Sequence, residues 1–116
     1  MPTTDLKAVE LRLRAILDPY REHLVEGTIY NMTVLRRKGA KKHDWFAGVQ
    51  AVNEAVKFNL LPMHEHSELL EDIPDDLRRR KTGASVFRFT EVDENVAGAL
   101  EALVGRGFLE YMKRDS

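Results

Sequence analysis

The chain has 116 residues, 43% of them hydrophobic and 32% charged, with a formal net charge of −1 and no cysteine. This composition is globular rather than disordered, and at this length a domain buries roughly two-thirds of its unfolded surface, so one domain over residues 1–116 is expected. The missing cysteines exclude disulfide frameworks, thiolate metal sites and cysteine nucleophiles, and a near-zero charge excludes global attraction to nucleic acid. No run approaches the length of a membrane span, and the N-terminal residues lack an apolar signal core, so a cytoplasmic protein with no membrane partner is expected.

Leu6, Val9, Leu13, Ile16, Leu17 and Tyr20 recur at three- and four-residue steps, which predicts a helix with that stripe on a core. Pro19 after Asp18 predicts a kink or restart there, with a short helical piece reaching His23 to Val25. Gly27 breaks the pattern, and the alternation of Tyr30, Met32 and Val34 predicts one half-buried strand over 28–38, although Ile29 and Leu35 blur it. Lys38-Gly39-Ala40-Lys41-Lys42 reads as a turn, and Trp45–Val52 and Glu54–Leu61 read as two further strands around Asn53.

Pro62 ends that third strand because it has no N–H for a ladder. Short helical turns are expected at Ser67–Leu70 and Asp75–Arg80, a strand on Phe87, a capping box over Thr90–Asp93, and a final helix from Val96 to Met112. Gly105 and Gly107 weaken that helix by about 1 kcal/mol each relative to alanine, so packing must hold its second half. The fold class expected is α+β: an antiparallel sheet of four to five strands with the N- and C-terminal helices on one face.

No catalytic constellation is present: there is no Gly-x-Ser-x-Gly elbow and no phosphate-cradling glycine motif, so the chain is not expected to be an enzyme. His64, His66 and Glu68 are the densest ligand-capable group; two histidines two apart in an extended segment would point the same way and suit Fe²⁺ or zinc. Solvated polar residues of a loop are the competing reading. Arg36, Arg37, Lys41 and Lys42 crowd a hairpin tip beside Trp45 and Phe46, a nucleic-acid footprint that a solvated, aggregation-resistant edge outweighs. Arg78-Arg79-Arg80-Lys81 could hold an anionic partner, yet Glu71, Asp72, Asp75 and Asp76 precede them at helical spacing, and intramolecular pairing is the favoured reading.

Phe46-Ala47-Gly48-Val49, Phe58-Asn59-Leu60-Leu61-Pro62-Met63, Leu77-Arg78-Arg79-Arg80 with Gly83, and Phe87-Arg88-Phe89 together resemble the YdhG-like domain of unknown function, with the likeness covering roughly residues 28–111. The resemblance implies a small α+β domain similar in build to frataxin-like and YjbR-like proteins, some of whose relatives are described as iron chaperones. It supplies no catalytic residues. Asn59 stands where close relatives frequently carry histidine, and Met63-His64 where a small apolar residue and a tyrosine are usual.

Three functional expectations follow. The first is a non-catalytic binding or adaptor domain meeting a small ligand or protein partner near Trp45, Phe58, Asn59, Pro62 and His64. The second is an iron-binding protein that delivers intracellular iron, using His64, His66, Glu68 and neighbouring acids. The third is nucleic-acid binding through Arg36–Lys42. An unpaired edge strand leaves a homodimer open.

Overall fold

The computed structural model describes residues 5–29, 32–39 and 44–113. Its elements are α1 (Leu6–Leu17), β1 (Val25–Ile29), β2 (Met32–Arg36), β3 (Ala47–Val52), β4 (Ala55–Leu60), α2 (Pro62–Glu65), α3 (Asp75–Arg78), β5 (Lys81–Gly83), β6 (Val86–Phe89) and α4 (Glu94–Lys113). Single 3₁₀ turns lie at Asp18–Tyr20 and Ser67–Leu70. The six strands form one antiparallel sheet in the order β1-β2-β3-β4-β6-β5.

Asp5 starts α1 by accepting the backbone N–H groups of Lys7 and Ala8 at 3.1 and 3.3 Å, and the helix stops where Pro19 removes a donor. The stripe Val9, Leu13, Ile16 and Leu17 is buried, as its spacing requires. At the other end Asp93, not Thr90, caps α4, its carboxylate accepting the Val96 N–H at 2.8 Å. Buried Val96, Leu100, Leu103, Val104 and Tyr111 then face the same sheet surface. Arg12 reaches from α1 to Glu94 and Glu101 on α4 through contacts of 3.0–3.1 Å, which ties the helices together and holds the Glu94 carboxyl below its usual range.

The main core lies between these helices and one face of the sheet. Val56, Phe58 and Leu60 on β4, Ala47 and Val49 on β3, Leu35 on β2, and Phe87 and Phe89 on β6 all point into it. A ring cluster closes its end: Phe46 meets Tyr20, Phe108 and Tyr111 with centroids 5.5–5.6 Å apart.

Three expectations are corrected. The long strand over 28–38 is two strands, β1 and β2, with Ile29 opposite Met32; residues 30 and 31 between them lie outside the described residues. Gly27 does not interrupt the strand but belongs to it, and its missing Cβ makes room for the Arg36 side chain, whose Nε would come within 2.7 Å of a Cβ there. No helical piece reaches Val25, which opens β1 instead. The β3–β4 reversal falls at Asn53 as expected, but Glu54, read as the first residue of the next strand, belongs to the two-residue connection with φ +68°.

Candidate functional site

Of the residues expected to form a basic hairpin tip, Arg36 and Arg37 are engaged within the fold. Arg37 pairs with Asp44 across the base of the connection between β2 and β3, and its guanidinium sits 5.0 Å above the Tyr111 ring. The Tyr111 hydroxyl accepts the Arg37 backbone N–H at 2.9 Å and donates to the Asp44 carbonyl at 3.3 Å. This clasp pins both ends of the connection to α4; burial pushes the Tyr111 phenol pKa up, and the hydrogen bond to Asp44 raises that of Arg37. Arg36 lies over Gly27. Lys41 and Lys42 lie outside the described residues.

The residues expected to meet a ligand do not share a surface. Phe58 has no exposed area and belongs to the core under the helices, and Pro62 is buried. Trp45 and Asn59 come to the opposite sheet face. There Trp45 joins Ile29, Met32 and Val34 in a second, smaller cluster, and the buried Asn59 amide donates to the Met32 thioether at 3.1 Å. Gly48 lets this layer close: a Cβ there would lie 2.7 Å from the Thr33 carbonyl oxygen and 2.8 Å from Val34 Cγ1. His64 is exposed.

Of the expected metal ligands, His66 and Glu68 come together but His64 does not join them. Residues 62–65 are helical rather than extended, so His64 and His66 leave the chain in different directions. His66 lies 3.4 Å from Glu68 and 3.8 Å from Glu110 on α4, whereas His64 is exposed on α2. Among the described residues no group of three or more His, Asp or Glu side chains could hold a metal ion.

A feature that spacing alone did not reveal lies on the helix-free face. Following the register, the strand positions on that face are 25, 27 and 29 of β1, 32, 34 and 36 of β2, 48, 50 and 52 of β3, 55, 57 and 59 of β4, 83 of β5, and 86 and 88 of β6. None is Asp or Glu, while Arg36, Lys57 and Arg88 are basic. Lys57 stands directly opposite Arg88. The pairing of Lys81 with Phe87 sets Arg80 against Arg88 in turn, and the Arg88 N–H donates to the Arg80 carbonyl at 2.7 Å. Three cations therefore stand in a row across β4, β6 and the start of β5.

Like charges directly opposite one another across a sheet are destabilising. Five other arginines, Arg12, Arg14, Arg21, Arg37 and Arg79, each hold a carboxylate. Among the described residues Lys57, Arg80 and Arg88 are in no ion pair. The expected neutralisation of Arg78 to Lys81 is thus partial: Arg79 pairs with Asp76, and Arg78 donates instead to the carbonyls of Leu70, Glu71 and Ile73 at 2.8–3.4 Å. An open concavity of about 310 Å³ is lined by Arg79 and Arg80.

No helix among the described residues is long and apolar enough to cross a membrane. The chain matches no family model, no curated protein and no solved structure.

Proposed function

We propose that the protein is a non-catalytic binding module whose helix-free sheet face receives an anionic ligand. The observation that supports this is the charge segregation of that face. A chain with a net charge of −1 carries no acid at the face's strand positions, and it leaves Lys57, Arg88 and Arg80 side by side without a carboxylate. A cluster of one sign over a low-dielectric core projects a local field that the net charge does not describe. The same reading moves the binding surface from the neighbourhood of Phe58 and Pro62, both buried, to the opposite face of β4 and β6. Kinship with YdhG-like domains is part of the proposal, supported by the motifs around Phe46, Phe58 and Phe87, and it assigns no site.

The test is retention on a cation exchanger at pH 7.5, above the sequence pI of about 6.4. The wild-type protein is expected to be retained despite its negative net charge. Lys57→Glu with Arg88→Glu should abolish retention. Lys7→Glu with Lys113→Glu, which makes the same change in net charge on the helices, should leave most of it. Equal loss in both double variants, or no retention of the wild type, would contradict the reading.

A further inference from the structure

We infer that the concavity lined by Arg79 and Arg80, the latter cross-strand from Arg88, seats the phosphoryl end of a small ligand such as a phosphomonoester or pyrophosphate. The inference rests on the helix-free face being an anion-receiving surface, and it names the class of anion. Three observations select it.

The first is donor type and density. At this end of the row the cations are arginines, whose planar forks match phosphoryl oxygens with paired N–H donors where lysine offers a point charge. Arg79 is already engaged with Asp76, an exposed pair one helical turn apart that contributes little, so Arg80 is the anchor and Arg79 flanks it. A phosphoryl group carries between one and two negative charges near neutral pH and presents three oxygens, more than a carboxylate can offer to neighbouring arginines.

The second is size. About 310 Å³ lies at the low end of small-molecule sites, which run from roughly 300 to 1,000 Å³, and suits a compact phosphate compound. The third is what the face lacks. No Phe, Tyr or Trp occupies its described strand positions, and Trp45 is only 8% exposed, so the face has no ring on which successive bases of a nucleic-acid strand could stack. Electrostatics without stacking fits the phosphate and not the base.

Calorimetric titration of the full chain with sodium pyrophosphate at pH 7.5 and low salt tests this, with succinate and a single-stranded oligonucleotide as parallel titrants. Saturable one-to-one pyrophosphate binding is expected, with succinate weaker. Arg80→Ala should weaken pyrophosphate binding by about tenfold or more, Arg80→Lys by less, and Lys7→Ala not at all. A thermal melt of each variant separates loss of the site from loss of the fold. Because the Arg80 side chain is in no ion pair among the described residues, and its backbone hydrogen bonds survive substitution, the melting temperature should be unchanged or raised. Undiminished binding in Arg80→Ala would overturn the assignment, as would tighter binding of the oligonucleotide or of succinate. No pyrophosphate heat from a protein still retained by the cation exchanger would overturn the phosphoryl assignment alone; no heat and no retention would overturn the anion-receiving face as well.

Discussion

Replacing Arg88 with glutamate should make the unliganded protein more stable while removing its proposed activity. Arg88 faces Lys57 on one side and Arg80 on the other, so the substitution turns two repulsive cross-strand neighbours into two attractive ones. Cross-strand charge pairs are worth about 0.2–1 kcal/mol each, and screening at an exposed position keeps them toward the lower end. Two reversals together should therefore add about 1 kcal/mol to the unfolding free energy, or about 4 °C in melting temperature for a domain of this length. Urea unfolding of the wild type and of Arg88→Glu, followed by circular dichroism in low salt and again in 1 M NaCl, measures the difference. The gain should appear as a higher midpoint with an unchanged slope and should shrink at high salt. Destabilisation, or a gain indifferent to salt, would refute the electrostatic reasoning, because the cross-strand neighbours of exposed Arg88 are the cations Lys57 and Arg80.

Gly48→Ala should destabilise the fold by about 2 kcal/mol in the same urea assay, since the new Cβ would collide with the Thr33 carbonyl oxygen, a backbone atom that cannot rotate away. Tyr111→Phe should cost about 1–2 kcal/mol and speed hydrogen exchange at the Arg37 amide, which loses its hydroxyl acceptor. Glu94 has a folded pKa depressed mainly by its hydrogen bond to Arg12, so its contribution is present above the unfolded value of about 4.3 and is lost as pH falls through the folded one. Arg12→Met should accordingly flatten stability against pH below about 4.5 and leave its slope near neutrality unchanged, as an acid titration followed by circular dichroism would show.

The two terminal helices were legible because one stripe of each does all the burying, and the Phe87-Arg88-Phe89 strand because alternation sets two rings inward and one cation outward. The β1–β2 hairpin was not, yet its trace was there. Odd positions 27 and 29 share a face with even positions 32, 34 and 36, a change of parity that one continuous strand cannot make. Ile29 blurred the alternation because the chain reverses just beyond it. The histidine pair was misjudged through its backbone: Pro62, placed as a strand terminator, is also the first residue of a helical turn, which aims His64 and His66 apart.

The basic row depends on long-range pairing. Lys57 sits between buried Val56 and Phe58, and Arg88 between Phe87 and Phe89, so each was recognisable as outward-facing. Their adjacency, and that of Arg80, exists only once β4, β6 and β5 are hydrogen-bonded in register. Arg37 shows the opposite case, since its place in a run of basic residues gave no sign of the Asp44 and Tyr111 clasp that engages it.

The most direct measurement of the binding surface is a two-dimensional amide NMR titration of the labelled protein with pyrophosphate at low salt. If the helix-free face receives the anion, the largest shifts will fall on Lys57, Arg79, Arg80, Lys81 and Arg88 and will fade as salt is raised. Shifts confined to α1 and α4, to residues 36–44 or to His64 and His66 would contradict it, as would a titration that moves no amide at all.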